Sequence, residues 1–444
     1  MTLLTVPSEL EQSKSQSRRG AGRRRTTSRG GRRRYSCELL SAVRLIENQL
    51  LIKINIDGNV GAAVIVTVMT QLIDVPAGLK GVVVAETSVG DVRGEEGYYH
   101  YRQYSATALA RERTFEEVWY LIQFGELPGS SERSGFTEKT ARHRALSPRV
   151  MNALPAVAAL AAADRPLQAL RAAYELVVLD QGMVPWLDTS AEALAGQAIV
   201  TGAVFPTLAA GLYRLARGER LTAPREDLSH AANYLYMLDG TEPSAARVRA
   251  LETYLISTVD HGFNASTFTS RVVASAGADL GSAVIAALGA LSGPLHGGAP
   301  SRVLDMLDEI GTPDRADAWI RSTLARGEVV MGFGHPVYRT DDPRNVMLRQ
   351  VAAELGSPRL ELAEAVEASA LKAFRELKPG VPLHANVEFY ASLVLEAIGL
   401  PRELFTPTFA VSRVVGWTAH IAEQAGNNKI IRPSARYVGR VPTV

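Results

Sequence analysis

Apolar residues recur with the spacing of an α-helix along most of the chain that follows residue 69. Ser147 and Pro148 supply a cap and a first-turn proline before an alanine-rich apolar run. Ser244 stands before a second amphipathic run that ends near His261. The apolar positions of this second run are Val248, Leu251, Leu255, Ile256 and Val259. A third stripe precedes a Pro-Gly pair and comprises Leu362, Val366, Ala370, Phe374 and Leu377.

Strand signals are few along the same stretch. The best is GVVVAE at residues 81–86, which is short and is followed by no alternation of strands and helices. The longest apolar run, residues 60–68, has about half the length that a membrane-spanning helix needs, and Thr67 interrupts it. The pattern therefore predicts an all-α fold without a transmembrane segment.

Charge is distributed unevenly over the 444 residues. Residues 1–36 carry ten Lys or Arg and two Glu, a balance of +8, whereas the formal net charge of the chain is +2, so residues 37–444 carry −6. An acidic body argues against nucleic-acid binding, although the basic arm could touch phosphates nonspecifically. Three interpretations of residues 1–68 stay open: a polybasic or targeting tail, a disordered tail without function, or a start codon placed before the true start at Met69.

Composition limits the class of protein. With 46% apolar and 21% charged residues, the chain has the make-up of a soluble globular protein large enough for two or three units. Its one cysteine, Cys37, lies near the N-terminus, so the remainder can form no disulfide, no thiolate zinc site and no cysteine nucleophile. A reducing cytoplasm fits this usage.

Two histidine loops carry the strongest sign of chemistry. His296 lies in GPLHGGAP at residues 293–300, and His335 lies in GFGHPVYRTDDPR at residues 332–344. Glycine beside each imidazole permits positive φ and a close approach of backbone to a ligand. Glu388, in HANVEFY, stands among apolar neighbours, where desolvation would raise the pKa of its carboxyl. Two imidazoles and a carboxylate suit proton abstraction beside a carbonyl.

Arginines near these motifs indicate an anionic substrate, because guanidinium groups are natural receptors for carboxylates and phosphates. They are Arg271, Arg339, Arg344, Arg413 and Arg432. Each candidate also has a structural interpretation: a histidine beside glycine can cap a helix, and Glu388 or a single arginine can be a solvated or ion-paired side chain. His384 and Glu388 have the spacing of metal ligands on a helix, but no third ligand accompanies them, and no metal site is predicted.

Six segments in fixed order resemble the successive signatures of the citrate synthase family. They are DHGFNASTFTSRVVAS, GPLHGGAP, GFGHPVYRTDDPR, NVEFY, FAVSRVVGW and IRPSARYVG. The resemblance extends from about residue 78 to residue 439, and its beginning, GLKGVVVAETSVGDVRGEEGYYHYRQY followed by FGELP, resembles the opening of bacterial members. It implies an all-α fold in which a smaller helical domain, residues 298–398, is inserted into a larger one formed by residues 69–297 and 399–444.

The resemblance also implies a role for each motif residue. His296 would donate a hydrogen bond to the thioester carbonyl of acetyl-CoA while Glu388 removes a methyl proton, which gives an enol or enolate. His335 would polarise the ketone of oxaloacetate for attack by this carbon, and water would then release CoA from the citryl thioester. The implied oxaloacetate-binding residues are His261, Arg344, Arg413 and Arg432, the last reaching into the partner subunit's site. The implied CoA-binding residues are Arg339 and the backbone of Val330, Met331, Gly332 and Gly334.

By the same resemblance the chain would form a cytoplasmic homodimer of the tricarboxylic acid cycle, with acetyl-CoA and oxaloacetate as substrates and no cofactor. One departure bears on mechanism, because Glu388 in NVE stands where the family usually has aspartate in NVD. A displacement of about 1 Å can lower a rate on the order of a hundredfold. Two alternatives therefore stay open: a 2-methylcitrate synthase that uses propionyl-CoA, and a catalytically silent homologue with a regulatory or binding role.

Overall fold

The structure, a computed structural model, describes residues 42–46, 49–56, 59–67, 72–161, 165–294, 296, 299–335, 337–377 and 383–440, the first three ranges as backbone alone. The described residues form two compact units that divide at Val83. The basic arm of residues 1–36 and Met69 lie outside the described residues. The three interpretations of the extension, and its boundary at residue 68, therefore stay predictions.

The first unit contains one antiparallel sheet. Its strands are β1 (Ala42–Ile46), β2 (Gln49–Ile56) and β3 (Asn59–Thr67), and β2 lies in the middle. The β1–β2 register runs from Ala42 opposite Lys53 to Ile46 opposite Gln49. The β2–β3 register shifts between Lys53 and Asn55.

The second unit is mainly helical, which confirms the predicted all-α class. Its described helices are α1 (Ala106–Glu112), α2 (Phe115–Phe124), α3 (Ser130–Arg142), α4 (Pro148–Ala161), α5 (Pro166–Asp180), α6 (Ala191–Ala216), α7 (His230–Asp239), α8 (Ala245–Thr258), α9 (Ala265–Ser275), α10 (Leu280–Leu291), α11 (Ala299–Ile310), α12 (Ala316–Ala325), α13 (Pro343–Glu354), α14 (Leu360–Leu377), α15 (Val387–Ala397) and α16 (Phe405–Gly426). A small antiparallel sheet precedes them and consists of β4 (Gly90–Arg93), β5 (Tyr98–Tyr101) and β6 (Tyr104–Ser105).

Local signals in the sequence explain where several helices begin. Pro148 occupies the first turn of α4, and the Ser244 hydroxyl accepts a hydrogen bond from the Arg247 amide at the start of α8. The three predicted helices are confirmed as α4, α8 and α14. The strand signal at residues 81–86 is wrong: Val83 is 86% exposed, and within the described residues no neighbouring strand pairs with this segment. Apolar composition alone cannot form a strand without a partner.

The core of the second unit is built around α16 and α6. α16 packs on α6, α8, α9 and α10, and it buries Trp417 and Phe405 completely. Full burial of such a side chain contributes about 1.5–3 kcal/mol. α6 is long and apolar enough to span a membrane, but 72% of its most apolar window is buried within the protein, as in the core helix of a globular protein.

A second group of helices packs beside this core. α13 and α11 pack on α15, α12 packs on α14, and α15 also contacts α8 of the central group. These helices lie in the stretch for which an inserted domain is predicted. The boundaries at residues 298 and 398 stay predictions.

Candidate active site

Five parts of the chain bring most of the predicted site residues together. The residues that meet are His261 after α8, His296 after α10, His335 before α13, Arg344 in the first turn of α13, Glu388 in the first turn of α15, and Arg413 in α16. Arg413 is close enough to influence the titration of His261, His296 and Glu388. Arg344 similarly influences His261, His335 and Glu388. The two guanidinium groups therefore lie near both the histidines and the carboxylate.

His261 and His335 face each other on one side of this cluster. Their rings stand edge to face with centroids 5.3 Å apart, and the ring of Tyr338 packs against both. The Tyr338 hydroxyl lies 3.0 Å from Nε2 of His261. Burial, followed by the charge of Arg344, lowers the pKa of His261 well below its usual range. His261 is consequently neutral at pH 7.

Arg344 is buried against a carboxylate that fixes its orientation. Its Nε and Nη2 donate to the two carboxylate oxygens of Asp342 at 3.0 and 2.7 Å, and both side chains are almost fully buried. Asp342 also accepts from the Arg344 amide and thereby caps α13. Such a bidentate pair sets the plane of a guanidinium group. That plane brings Nη2 to 3.4 Å from Nε2 of His335.

The backbone selects one tautomer of His335. Its Nδ1 accepts from the amides of Val337 and Tyr338, at 3.0 and 3.2 Å. Because an amide can only donate, the proton of the neutral ring lies on Nε2. Burial, followed by the charge of Arg344, lowers the pKa of His335 to about 4. Nε2–H and the Arg344 guanidinium therefore direct two donors to the same place, as a carbonyl or carboxylate oxygen requires.

His296 is held as the opposite tautomer. Its Nε2 accepts from the amide of Ser266 at 3.3 Å and lies 2.8 Å from the hydroxyl of the same residue. That hydroxyl is fixed by Trp417 Nε1 at 3.1 Å and by Asn264 Oδ1 at 2.8 Å. Burial, followed by Arg413, lowers the pKa of His296 to about 4. The ring is therefore neutral, with its proton on Nδ1 and free of the Ser266 contact.

Arg413 brings a buried positive charge to the centre of the cluster. It is 2% exposed, its Nε donates to the carbonyl of Thr258 at 2.7 Å, and its guanidinium lies 4.6 Å from the centre of the Phe409 ring. Within the part of the chain that the structure describes, Arg413 forms no ion pair. Burial lowers its pKa from the ordinary value. A bound anion would compensate this desolvated charge.

Glu388 supplies the base of the cluster. It is the second residue of α15, and its amide donates to the capping side chain of Asn386 at 3.0 Å. Burial raises the pKa of Glu388 to about 7, although the charges of Arg344 and Arg413 act in the opposite direction. The apolar neighbours in the sequence indicate the same effect. A carboxylate with a pKa near neutrality can remove a proton and return it.

Glycines of the His335 loop join it to the segment before α15. The amide of Gly334 donates to the carbonyl of His384, and the amide of Asn386 donates to the carbonyl of Gly332, both at 2.8 Å. Gly332 has a φ of +78°, and a Cβ there would lie 2.8 Å from the Phe389 ring. Gly334 has a φ of +87°. These glycines therefore serve backbone pairing, and the approach to a ligand expected from the sequence stays a prediction.

The structure separates other candidates from this cluster. Arg432 is exposed in the segment after α16, and no described contact connects it to the cluster. Arg271 is committed to the protein: Nη1 pairs with Glu423 at 2.5 Å, and Nε donates to Gln424 at 3.1 Å. Its charge is therefore compensated within the protein. Arg339 is half-buried next to the His335 loop. Val330, one of the residues whose backbone is predicted to bind CoA, is buried.

The metal spacing considered from the sequence is wrong. His384 precedes α15, which begins at Val387, so it does not share a helix with Glu388. Its Nδ1 instead lies 2.7 Å from a carboxylate oxygen of Asp341. In the described ranges, no three His, Cys, Asp or Glu residues cluster as metal ligands do.

Sequence reasoning missed the residues that orient the cluster. Ser266 holds His296, Tyr338 bridges the other two histidines, and Asp342 holds Arg344. All three lie inside quoted motifs, within NASTF and VYRTDDPR. Only their proximity to a candidate in the motif could have indicated a role, because hydroxyl and carboxylate side chains in a loop have many other uses.

The cluster combines two neutral imidazole donors, two buried guanidinium groups and one base. The cations suit a substrate with more than one acidic group. The imidazole N–H groups can stabilise negative charge that develops on carbonyl oxygens. Together with the base, the arrangement suits generation of a carbon nucleophile beside one carbonyl and its addition to another.

Known proteins resemble the chain over most of their length. Residues 78–434 match the family described as "Citrate synthase, C-terminal domain". A citrate synthase of Haloferax volcanii is 38% identical over 364 residues, which cover 82% of this chain and 95% of that protein. A 2-methylcitrate synthase of Shewanella oneidensis is 36% identical over 374 residues, which cover 82% and 95%. The citrate synthase of Thermoplasma acidophilum, solved with carboxymethyl coenzyme A and oxaloacetate, gives a TM-score of 0.75 at 28% identity and covers 82% and 96%.

Proposed function

The chain belongs to the citrate synthase family of acyltransferases, and from this premise we propose that its buried cluster condenses acetyl-CoA with oxaloacetate and water to give citrate and CoA. The observation that supports this most directly is the set of opposite tautomers. His296 offers a proton from Nδ1 and His335 offers one from Nε2, each fixed by backbone amides. Two neutral donors of this kind match a reaction that joins two carbonyl compounds.

The first step is enolisation of the thioester. Glu388 removes a proton from the methyl group of acetyl-CoA, and the Nδ1–H of His296 bonds the thioester oxygen as negative charge develops there. The raised pKa of Glu388, about 7, supports this role because it brings the base closer to the weakly acidic carbon. General-base catalysis of this kind contributes typically about 10²–10⁴-fold.

The second step joins the two carbons. Arg344 and Arg413 receive the carboxylates of oxaloacetate, while the Nε2–H of His335 bonds the ketone oxygen. The enol or enolate carbon attacks the ketone carbon, and the ketone oxygen becomes the hydroxyl of citryl-CoA. Water then adds to the thioester carbonyl, the carbon–sulfur bond breaks, and citrate and CoA leave. His261 also binds oxaloacetate, and it holds Tyr338 beside the His335 ring.

Glutamate replaces the usual aspartate without preventing catalysis. The side-chain cap at Asn386 fixes the start of α15. The backbone position from which the longer side chain must reach the methyl group is therefore fixed. Its 9% exposure leaves it access to a substrate while burial keeps it basic. The enzyme class of its relatives argues against a catalytically silent homologue.

CoA binding and assembly extend the proposal beyond the cluster. The backbone of Val330, Met331, Gly332 and Gly334 contacts the adenine portion of CoA, and Arg339 contacts a phosphate. The protein works in the cytoplasm as a homodimer of the tricarboxylic acid cycle. The C-terminal segment crosses to the partner subunit, where Arg432 binds oxaloacetate. The exposure of Arg432, and of Tyr437 and Val438 (73% and 90%), supports this crossing.

A second candidate is 2-methylcitrate synthesis from propionyl-CoA. The 36% identity with the Shewanella oneidensis enzyme supports it, and it requires the same cluster. One methylene changes binding by only about 1–3 kcal/mol, so the two substrates differ in rate rather than in mechanism.

Free-thiol release tests the proposal. Purified protein receives acetyl-CoA or propionyl-CoA, each with and without oxaloacetate. We expect oxaloacetate-dependent release that is faster with acetyl-CoA and is strongly reduced in the His296→Ala variant. Faster release from propionyl-CoA would assign 2-methylcitrate synthesis, and no oxaloacetate-dependent release from either thioester would refute both activities.

A further inference from the structure

The β4–β5 hairpin has no role in the mechanism above, yet it is fixed to the end of α8. It lies in the segment GDVRGEEGYYHYRQY, which the family resemblance left without a function. The hydroxyl of Tyr101 donates to the carbonyl of Ile256 at 2.8 Å, and that of Tyr99 donates to the carbonyl of Ser257 at 3.3 Å. The Tyr99 ring also packs 5.8 Å from the ring of His261. The base of the hairpin is therefore rigidly attached beside the first site histidine.

The tip of the hairpin meets the loop of the other histidine. Residues 94–97 form a turn, and the carbonyl of Gly94 accepts from the amide of Arg339 at 3.1 Å. A Cβ on Gly94 would lie 2.2 Å from the carbonyl oxygen of Val337 and 2.7 Å from its carbon. At Gly97, where φ is +61°, a Cβ would lie 2.7 Å from the hydroxyl of Thr340. Backbone thus packs on backbone, at a distance that no side chain tolerates.

The segment touched by this turn is the one that orients His335. The amides of Val337 and Tyr338 donate to Nδ1 of His335 and select its tautomer. The Tyr338 hydroxyl reaches Nε2 of His261. The peptide units that hold the imidazole are therefore pressed against Gly94 on their other side.

We propose that the turn of residues 94–97 is a positioning element for His335, which it fixes relative to His261 through the backbone of residues 337–339. This inference rests on the proposed function, because the distance between the two histidines matters only if oxaloacetate binds between them. Gly94 is required for the close approach of two backbones, and Gly97 for its positive φ. Neither residue touches substrate.

Substitution of Gly94 by alanine tests this directly. A Cβ cannot remain 2.2 Å from a carbonyl oxygen, so the Val337 peptide must move by about 1 Å, a displacement that can lower a rate about a hundredfold. We expect Gly94→Ala to lower kcat/KM for oxaloacetate on the order of a hundredfold. Much of the loss should be a higher KM for oxaloacetate.

Gly135→Ala is the matched control. Gly135 is exposed in α3, and a Cβ there would meet nothing within 4 Å. We expect wild-type kinetics from this control. A loss of folded protein alone would lower kcat for Gly94→Ala and leave both KM values unchanged, so the KM for oxaloacetate separates a positioning role from a structural one.

Val337→Ala provides a second variant that introduces no clash. Val337 Cγ1 lies beside Gly94, 2.9 Å from the position that a Cβ there would take, so this truncation removes side-chain packing around the backbone contact. We expect a several-fold rise in the KM for oxaloacetate and a folded protein. If the wild type is active and both variants keep its KM for oxaloacetate, the positioning proposal alone is overturned. If the wild type releases no CoA, the positioning proposal and the proposed function are both overturned.

Discussion

The two sides of the buried cluster differ in how a buried charge is compensated. On the side of His335 and Arg344, the desolvated cation is compensated by Asp342, whose carboxylate pairs with it through two hydrogen bonds. On the side of Glu388, the carboxylate has no such partner among the residues that the structure describes, and burial raises its pKa to about 7. Burial makes a charge costly on both sides, and the pair with Asp342 offsets that cost for Arg344.

This difference matches two different chemical tasks. Binding of a dianion requires cations that remain charged, and the pKa of Arg344 is raised above its ordinary value by Asp342 despite burial. Removal of a proton from a weakly acidic carbon requires a base whose charge is not already satisfied. The same low-polarity interior serves both tasks because, among the described residues, an ion-pair partner is present for Arg344 and not for Glu388.

Replacement of Glu388 by glutamine should have the largest effect, and it tests whether the two sides act separately. Glutamine retains the shape of the side chain and loses the base, so we expect kcat to fall about 10²–10⁴-fold. The affinity for oxaloacetate, measured by titration calorimetry, should remain that of the wild type. A parallel fall in oxaloacetate affinity would show that the two sides do not act separately.

Glu388→Asp provides the comparison for the length of the base. Aspartate keeps the charge and withdraws the carboxylate by one methylene. We expect an activity between those of the wild type and Glu388→Gln, because the rest of the site is arranged around the longer side chain. Activity above the wild type would contradict that expectation.

The sequence predicted the chemistry of this site better than its geometry. Histidine between glycines, and a carboxylate among apolar residues, are local features, and they indicated His296, His335 and Glu388, whose roles stay predictions. The helices followed from spacing and caps for the same reason. The glycines of the His335 loop were interpreted as approaching a ligand, and their pairing with the segment before α15, between residues 50 or more positions apart in the sequence, was not predicted.

Orienting residues escaped prediction because their partners are distant in sequence. Ser266 lies 30 residues from His296, and Tyr338 lies 77 residues from His261. Tyr99 reaches α8 from more than 150 residues away. The β4–β5 hairpin was visible as a motif, but its contact with the loop after His335 depends on the packing of the whole unit.

Arg413, like Arg344, influences both the histidines and Glu388, and its removal should have the next largest effect. Methionine at this position keeps an unbranched side chain but loses the cation. Since a hydrogen bond to a charged group contributes about 1.5–3 kcal/mol, we expect oxaloacetate affinity to fall about tenfold to a hundredfold. The pKa of Glu388 should rise further, because Arg413 normally opposes the effect of burial.

The control for Arg413→Met is Arg321→Met. Arg321 is a partly exposed arginine that pairs with Asp317 and Glu376 on the surface, so its loss should leave oxaloacetate affinity and the pH profile unchanged. If Arg413→Met weakened oxaloacetate binding without moving the pH profile, the two sides would be more independent than the electrostatics of Arg413 indicate.

The smallest predicted effect is the pH dependence of the wild type, and it distinguishes the two sides without any substitution. The base must be ionised to act, and the pKa of Glu388 is about 7, so kcat/KM should rise from pH 5.5 and level off near pH 8. At one unit below that pKa, kcat/KM should be about a tenth of its maximum. The pKa values of His296 and His335, both about 4, leave the two imidazoles neutral throughout this range. A profile of kcat/KM that is flat between pH 5.5 and 8, or that falls as pH rises, would mean that the charge of Glu388 is compensated in the free protein and that the contrast between the two sides is absent.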